Sequence, residues 1–111
     1  MKDIISKNHK KSKFGIFSLV KSIPKGKVMT YKIISEMAGI KNPRVVGSIL
    51  HANTDPENIP CHRVVRSDGH VATGYAFGGK KSQIKRLEEE GIIVYKGKID
   101  LEKYIWNPLE N

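Results

Sequence analysis

The chain has 111 residues, of which 39% are hydrophobic, and a formal net charge of +9. This length suffices for one domain whose apolar core needs no metal or disulfide staples. The single cysteine excludes an intramolecular disulfide and suits a reducing compartment. No apolar run approaches the roughly 20 residues that span a bilayer, and the lysine-rich start lacks the apolar segment of a signal peptide. We therefore expect a soluble intracellular protein.

The positive charge is concentrated in the first part of the chain. Residues 1–41 carry ten lysines and two acidic residues, a net +8, whereas residues 82–111 carry five basic and six acidic residues, a net −1. A basic front half is the electrostatic pattern of a polyanion binder. The alternative is a lysine-rich tail without a partner. Residues 1–11 are predicted to be such a flexible tail, and residues 12–111 are predicted to form the domain.

Three helices are predicted in the basic half. Ser12 is a suitable N-cap for the first, whose apolar stripe ends before a turn at residues 24–27. Thr30 can cap the second helix, which Gly39 ends, and Asn42-Pro43 provides an N-cap and a first-turn proline for the third. The predicted buried faces are Ile33, Ile34, Met37 and Ala38 on the second helix, and Val45, Val46, Ile49 and Leu50 on the third. Two helices joined this way form a helix-turn-helix or a plain αα-corner, and the basic surroundings favour DNA binding.

The second half of the chain is predicted to mix short strands with one long helix. A polar loop over residues 53–58 leads into a strand at Val64-Val65, and Val71 to Tyr75 is a candidate returning strand. A helix starting near Lys80 to Ser82 ends at Gly91. The apolar anchors after it are Ile92, Ile93, Val94, Ile99, Leu101, Tyr104, Ile105 and Trp106. The predicted fold class is α+β and mainly helical, a single compact domain with a winged-helix-like helix-turn-helix.

The only cysteine, Cys61, lies in the segment Ile59-Pro60-Cys61-His62-Arg63-Val64-Val65. Pro60 fixes its own φ and favours extended geometry at Ile59, so the thiol leaves a rigid, non-helical corner. A thiol beside an imidazole can form its reactive thiolate, because a nearby base or imidazolium lowers the thiol pKa. On usage alone, a lone cysteine is more often a small buried hydrophobe. Neighbours on an extended chain also point to opposite faces, so adjacency alone does not join Cys61 to His62.

Pro60-Cys61-His62-Arg63-Val64 resembles the active-site signature of the O6-alkylguanine-DNA alkyltransferases. The flanking pieces of that family's DNA-binding domain follow in the same order, from about Lys13 to Trp106. The resemblance implies that Cys61 accepts an alkyl group from guanine O6 by in-line displacement, without a cofactor. It implies that His62 takes the thiol proton through a bound water and that Glu90 orients His62. The zinc site of some larger members belongs to an N-terminal domain without a counterpart here, so we expect no metal.

The charges of the late helix are unusual even without the resemblance. Three glutamates, Glu88 to Glu90, lie in its C-terminal turn, and two lysines lie at its start. Each of these charges interacts unfavourably with the helix dipole, at a cost of roughly 0.3–1 kcal/mol. Either a tertiary partner selects this arrangement, or i,i+4 pairs with Lys85 and Arg86 offset the dipole on a solvated face. The resemblance favours Glu90 as the functional glutamate.

The resemblance also implies supporting and DNA-binding residues. Asn53 would tie the recognition helix to the active-site turn; Arg63, Val65 and Tyr75 would support the active site. The DNA-binding residues would be Thr30, Tyr31, Arg44, Gly47 and Ser48. Arg44 would fill the stack vacated by a flipped base. The residues alone allow a simpler alternative for each. Asn53 could merely end a helix, Tyr31 could be a core tyrosine, and Arg44 could be one more exposed cation.

The recognition helix of this family approaches the minor groove, unlike ordinary helix-turn-helix proteins, and the small Gly47 and Ser48 suit that approach. Two features depart from the family pattern. Val45 stands where the family usually has alanine, and Gly74-Tyr75-Ala76-Phe77 replaces a shorter glycine-tyrosine loop, resembling archaeal members. The family's hydrogen-bond donor to guanine O6 in that loop therefore has no assigned counterpart.

The predicted function is DNA repair by direct reversal, with one irreversible transfer from O6-alkylguanine to Cys61 per molecule. The predicted partner is double-stranded DNA bound at the minor groove, and we expect a monomer with no membrane association. The expected location is the cytoplasm near the nucleoid, or the nucleus in a eukaryote. The alternative is an alkyltransferase-like protein that flags the lesion without accepting the group. Such relatives usually carry tryptophan or alanine where Cys61 stands, and a basic helix-turn-helix regulator is a second rival.

Overall fold

The computed structural model describes residues 15–108. Its elements are helix α1 (described part, residues 15–22), strand β1 (Met29–Thr30), helix α2 (Tyr31–Met37), helix α3 (Pro43–His51), a 3-10 turn (Cys61–Arg63), strand β2 (Val64–Val65), helix α4 (Gly79–Glu89), strands β3 (Val94–Tyr95) and β4 (Lys98–Ile99), and helix α5 (Leu101–Tyr104). The mainly helical α+β class predicted from the sequence is confirmed. The predicted cap Ser12 and the predicted flexible residues 1–11 lie outside the described residues.

The predicted helix-turn-helix is confirmed together with its capping residues. The hydroxyl of Thr30 accepts a hydrogen bond from the backbone N–H of Ile33 at 3.1 Å, and Asn42 Oδ1 accepts one from the N–H of Arg44 at 3.0 Å. These bonds satisfy amides that the first turn of a helix leaves unpaired. Gly39 has a φ of +72°, a left-handed conformation that ends α2 and that other residues adopt only under strain. Local sequence therefore sets the boundaries of both helices.

Two apolar clusters lie on opposite faces of a parallel pair of strands. β1 and β2 pair with Met29 opposite Val64 and Thr30 opposite Val65. Successive side chains of a strand point to opposite faces, so Met29 and Val64 join one cluster while Val65 joins the other. The first cluster also contains Ile16, Val20, Ile23, Ile34, Val46, Leu50, Cys61 and Tyr75, and the second contains Val28, Val71, Leu87, Ile92, Ile99 and Tyr104. Cys61 thus belongs to the packed core.

Three predicted apolar anchors are exposed instead. Met37, on the predicted buried face of α2, is 46% exposed, and Val45 on α3 is 38% exposed. α2 is so short that Ile34 and Ser35 already form its buried face, and the hydroxyl of Ser35 is satisfied by the carbonyl of Lys32 at 2.7 Å. Ile93 is 65% exposed, because it lies between the buried Ile92 and the half-buried Val94. These three predictions were wrong.

The candidate strand over Val71 to Tyr75 is also wrong. The N–H of Val71 donates to the carbonyl of Gly97, whereas the next N–H, of Ala72, donates to the side chain of Gln83. Val71 and Ala72 adopt no regular structure and the next two residues form a turn, so the segment contains no strand. None of the helices within residues 15–108 has the length and apolar composition that crossing a bilayer requires.

Candidate active site and nucleic-acid interface

Cys61 is presented by a tight turn centred on Pro60. Pro60 has φ −77° and ψ 71°, close to an inverse γ-turn, and the N–H of Cys61 donates to the carbonyl of Ile59 at 2.8 Å. The rigid turn predicted from the proline is therefore present, but the prediction of a non-helical corner was wrong, because Cys61 is the first residue of the 3-10 helix Cys61–Arg63. The cysteine is only 5% exposed. The side-chain amide of Asn53 donates to the carbonyl of Ile59 at 2.9 Å and to Cys61 Sγ at 3.4 Å, and so connects the end of α3 to the turn.

Glu90, at the end of α4, is hydrogen-bonded both to the turn at His62 and Arg63 and to the loop at Gly26. His62 Nε2 donates to Glu90 Oε2 at 2.7 Å, and the guanidinium of Arg63 donates to both carboxylate oxygens at 2.7–3.1 Å. The backbone N–H of Gly26 adds a fourth donor at 3.1 Å, and Arg63 Nη1 donates to the carbonyl of Ile23 at 2.8 Å. The sequence predicted the pairing of His62 with Glu90. It did not predict the partners that Arg63 and Gly26 provide.

This geometry sets the protonation states of the histidine and the glutamate. Burial alone would raise the pKa of Glu90, but hydrogen bonds from Arg63, His62 and Gly26 lower it to about 2. An ionised carboxylate only accepts hydrogen bonds, so Nε2 of His62 carries the proton. Burial lowers the pKa of His62 against the opposing effect of Glu90. A neutral imidazole protonated at Nε2 has a basic Nδ1, and this buried atom makes no hydrogen bond with residues 15–108.

The thiol itself is held in its protonated form. Burial raises the pKa of Cys61, while the hydrogen bond from Asn53 and the positive charge of Arg86 act in the opposite direction. A nucleophilic thiolate therefore requires a base when the reaction begins.

Gln83 is a site residue that the sequence did not reveal. It lies on α4, is fully buried, and its side-chain amide donates to the carbonyls of His62 and Val64, each at 3.0 Å. Its oxygen accepts the N–H of Ala72 at 2.9 Å. Gln83 and Glu90 are seven residues apart, so they share one face of the helix and hold the turn at two points. A glutamine inside a polar helix has no local feature that distinguishes it from a surface residue.

Tyr75 belongs to the same apolar cluster as Cys61. Tyr75 is 7% exposed and packs edge-on against Phe77 with ring centroids 5.7 Å apart. Burial, followed by the charge on Cys61, raises the pKa of Tyr75 to about 12, and the same two causes raise the pKa of Tyr31 to about 12. Both phenols are therefore protonated at neutral pH. Val65, in β2, is fully buried in the second apolar cluster, and its support of the active site stays a prediction.

A cleft of about 1100 Å³ lies between the helix-turn-helix and residues 66–74. We call it the α3 cleft. Its lining includes four of the predicted DNA-binding residues, which are Tyr31, Arg44, Gly47 and Ser48. The fifth, Thr30, is 3% exposed and its hydroxyl caps α2, so a DNA contact from Thr30 remains only a prediction.

The α3 cleft also contains cations that the sequence did not single out. Arg66 follows β2, whose parallel partner β1 leads into Tyr31, so the strand register brings both residues to the cleft. His51 Nδ1 lies 3.3 Å from the carbonyl of Gly74 and joins the end of α3 to the opposite wall. A basic cleft walled by a helix-turn-helix fits a nucleic-acid backbone.

Residues 15–108 contain no cluster of three or more histidine, cysteine, aspartate or glutamate side chains that could hold a metal ion. A smaller cavity of about 330 Å³ opens beside the turn and is lined by Lys25, His62, Arg86, Glu89 and Glu90. Together the turn and the two cavities present a thiol, a neutral imidazole, phenols and several cations.

Comparison with known proteins supports the same interpretation. The family model for the DNA-binding domain of 6-O-methylguanine DNA methyltransferase matches residues 13–92. A methylated-DNA–protein-cysteine methyltransferase from Methanothermobacter thermautotrophicus is 44% identical over 77 residues, 69% of this chain. A bifunctional methyltransferase/endonuclease from Picrophilus torridus is 39% identical over 97 residues, 86% of this chain. The chain spans only 42% and 32% of the lengths of these two relatives.

Relatives of similar size belong to another group. Alkyltransferase-like protein 1 from Schizosaccharomyces pombe is 33% identical over 99 residues, covering 84% of this chain and 92% of that protein. The crystal structure of S. pombe Atl1 in complex with damaged DNA containing O6-carboxymethylguanine superposes with a TM-score of 0.80 at 31% identity, covering 89% of this chain and 97% of that one. The methyltransferases and the alkyltransferase-like proteins are thus both similar to this chain.

Proposed function

The chain belongs to the 6-O-methylguanine DNA methyltransferase family, and from that premise we propose that it transfers the alkyl group of O6-alkylguanine in DNA to Cys61. The transfer is irreversible, because the thioether product has no leaving group, so each molecule acts once. The observation that carries the proposal is Cys61 itself, joined by hydrogen bonds to Asn53 and adjoining the His62–Glu90 pair.

His62 is proposed as the base that generates the thiolate. Its Nε2 proton is committed to Glu90, which leaves Nδ1 free to take the thiol proton through a water molecule. Arg63 keeps Glu90 ionised, and the ionised Glu90 then stabilises the imidazolium that forms. The sulfur attacks the alkyl carbon, the bond from carbon to O6 breaks, and the thiol proton ends on the ring nitrogen of the released guanine.

The α3 cleft is proposed to bind double-stranded DNA at the minor groove. Arg44 lies at the start of α3 on an exposed face, where its planar guanidinium can fill the stack that the flipped base leaves. Gly47 faces the ring of Tyr31, whose Cε1 lies 3.9 Å from the position of a Cβ, an ordinary van der Waals contact. The proposed state is a monomer located with DNA, in the cytoplasm or nucleus.

The second candidate is a protein that binds and flips the lesion without accepting the alkyl group. Two observations favour it: the near-complete coverage of the S. pombe protein, and the burial that raises the pKa of the Cys61 thiol. The two candidates differ at one chemical event. A flagging protein would leave the Cys61 sulfur unmodified after prolonged contact with the lesion.

Intact mass of the protein after incubation with an O6-methylguanine duplex tests the proposal. Transfer adds one methyl group, which peptide mapping locates on Cys61, and the signal plateaus at one methyl per protein. The Cys61→Ser variant is the matched control and keeps lesion binding while forming no adduct. Tight lesion binding by the wild-type protein with an unchanged mass would establish the flagging function instead.

A further inference from the structure

Arg86 is a half-buried cation without a partner among residues 15–108. It takes part in none of the ion pairs there, and its guanidinium makes no hydrogen bond with those residues. The carboxylate one turn further along α4, Glu90, is instead hydrogen-bonded to His62 and Arg63. Partial removal of a charge from water without a compensating anion is unfavourable. The position of Arg86 therefore has another explanation than the stability of the fold.

The helix face that carries Arg86 is the one that holds the turn around Cys61. Arg86 lies three residues after Gln83 and four before Glu90, spacings that place the three side chains on one face of the helix. Gln83 binds the carbonyl of His62, and Glu90 binds its ring. Arg86 also lines the cavity of about 330 Å³ beside the turn, together with His62. Its charge is therefore held next to the groups that exchange a proton in the proposed reaction.

The charged and titratable groups around this part of the turn come from several segments. They are Lys25 from the loop before β1, His62 and Arg63 from the turn, Arg86, Glu89 and Glu90 from α4 and its end, and the phenols of Tyr31 and Tyr75. Arg63 and Glu90 form an ion pair and largely cancel each other. Lys25 and Glu89 are exposed, so water and salt screen them. Both phenols are neutral, which leaves Arg86 as a partly desolvated and uncompensated cation in this set.

A fixed cation favours the loss of protons from neighbouring groups. Burial raises the pKa of the Cys61 thiol and lowers the pKa of His62, and the charge of Arg86 acts to lower both pKa values. A thiol and an imidazole that exchange a proton titrate as a pair. A charge that disfavours protons on both groups therefore moves the pH dependence of the thiolate to lower pH, whichever group lies nearer to the charge.

We propose that Arg86 is a positioning residue of the transfer to Cys61, whose charge favours the neutral form of His62 and the thiolate of Cys61. This rests on the proposed function. His62 must be neutral to accept the thiol proton, and a nearby cation stabilises the thiolate that results. Arg86 does not line the α3 cleft, so it acts through the turn and not by contact with DNA in that cleft. The proton that Cys61 loses still passes to His62 and then to the released guanine.

The first experiment measures the rate at which iodoacetamide alkylates Cys61 as a function of pH, without DNA. Arg86→Met removes the charge and keeps an unbranched side chain. The acid limb of its profile should lie at higher pH, so that the rate on that limb falls roughly threefold to tenfold. Arg86→Lys should restore the wild-type profile, because the charge and not the planar group is needed.

Lys85→Met is the matched control for Arg86→Met. Lys85 carries the same charge on the next residue of α4, but it is exposed and points away from the face that holds the turn. Its profile should coincide with that of the wild-type protein. An acid limb that does not move in Arg86→Met would overturn the proposal. A limb that moves equally in Lys85→Met or in Arg86→Lys would also overturn it, since net charge or packing would then be the cause.

The second experiment measures single-turnover transfer from an O6-methylguanine duplex over the same pH range. The acid limb of transfer should move with that of alkylation in Arg86→Met. Duplex affinity in a Cys61→Ser background should stay within about twofold, whereas loss of a phosphate contact would lower both affinity and its salt slope. Lower affinity with unmoved limbs would make Arg86 a phosphate contact instead. A transfer limb that stays in place while the alkylation limb moves would exclude Arg86 from the transfer.

The two experiments also separate this proposal from the proposed function. If the wild-type protein transfers nothing, the proposed function fails. The alkylation profile of Cys61 then still decides whether Arg86 controls the protonation of the turn.

Discussion

The turn around Cys61 and the α3 cleft hold their charged groups in opposite ways. In the turn, Arg63 and Glu90 are largely buried and bonded to each other through two nitrogens, with His62 and Gly26 as further donors. In the cleft, Lys32, Lys41, Arg44 and Arg66 are exposed and form no ion pair within residues 15–108.

The difference follows from the cost of removing a charge from water. A buried charge must be paired and hydrogen-bonded, since its desolvation is otherwise uncompensated. An exposed cation keeps its hydration and remains available for a phosphate. Under the proposed function, the turn is preassembled for the reaction and the cleft stays open for the DNA backbone. Substitutions in the two regions should have different effects. Those in the turn should lower the rate of transfer and the stability, whereas those in the cleft should lower only the binding and repair of duplex DNA.

The largest effect is expected from Glu90→Gln. It leaves Arg63 as a buried, unpaired cation and removes the acceptor that fixes the His62 proton, so stability should fall by roughly 3 kcal/mol. Transfer should fall at least about a hundredfold, because His62 loses its orientation. Chemical denaturation and single-turnover transfer measure the two losses. Unchanged transfer in folded Glu90→Gln would show that the glutamate serves the fold alone.

The ionisation of Glu90 also makes the free energy of unfolding depend on pH. The pKa of Glu90 is about 2 in the folded protein, below its ordinary value of 4.5. Its stabilising contribution is therefore complete above pH 4.5 and is lost as pH falls toward 2. The difference in unfolding free energy between the wild-type protein and Glu90→Gln should shrink over that range. A difference that stays constant from pH 6 to pH 2 would contradict the assigned ionisation.

Arg44→Ala tests the open region. If its guanidinium replaces the flipped base, repair of a duplex should slow roughly tenfold or more, because an extruded base costs a few kcal/mol. Reaction with free O6-benzylguanine, where the pocket admits it, should be unaffected. Lysine should rescue only partly, since it lacks a planar group that stacks. Full rescue by Arg44→Lys would make Arg44 a simple phosphate contact, and equal loss on both substrates would indicate a damaged fold.

Gln83→Met tests whether a buried amide far along the chain holds the turn. The variant preserves volume but leaves the carbonyls of His62 and Val64 and the N–H of Ala72 without partners, at a cost of roughly 1–3 kcal/mol. A loosened turn should expose Cys61, so it should react faster with a disulfide reagent while transferring more slowly. Tyr104→Phe, which loses one hydrogen bond to the N–H of Ile93 away from the turn, should leave both rates unchanged. If the rates of disulfide reaction and of transfer changed in the same direction, Gln83 would serve packing alone.

Arg66→Ala should have the smallest effect. As an exposed phosphate contact it should weaken duplex binding only a few-fold and lower the slope of log affinity against log salt by about one. Lysine should restore binding, because only the charge is needed. Lys96→Ala, on the loop between β3 and β4 and outside the cleft, should leave the slope unchanged. If the salt slope of Arg66→Ala were unaltered, Arg66 would not contact a DNA phosphate.

The sequence predicted those features whose cause is local. Thr30 and Asn42 start their helices because their side chains pair with amides two or three residues away. Gly39 ends α2 because the left-handed conformation favours glycine. The unfavourable glutamates at the end of α4 left two explanations open, a tertiary partner or i,i+4 pairs on a solvated face. The structure provides the tertiary partner for Glu90, which is Arg63 with His62, and the His62–Glu90 pairing that the family resemblance implied is present.

The tertiary structure decided everything that depends on which distant groups meet. Gln83, Gly26 and the carbonyl of Ile23 complete the turn around Cys61 from segments up to 40 residues away in the chain, and no local pattern marks any of them. Met37 is exposed because Ile34 and Ser35 already form the buried face of the short α2, and Ile93 is exposed because it lies between the buried Ile92 and the half-buried Val94, which composition does not record. The sequence determined where helices begin, where they end and that the chain has a single cysteine. Only the fold determined that this cysteine is buried and hydrogen-bonded to Asn53, and that Nδ1 of the neighbouring His62 is buried without a partner within residues 15–108, because burial and pairing are properties of the packed chain.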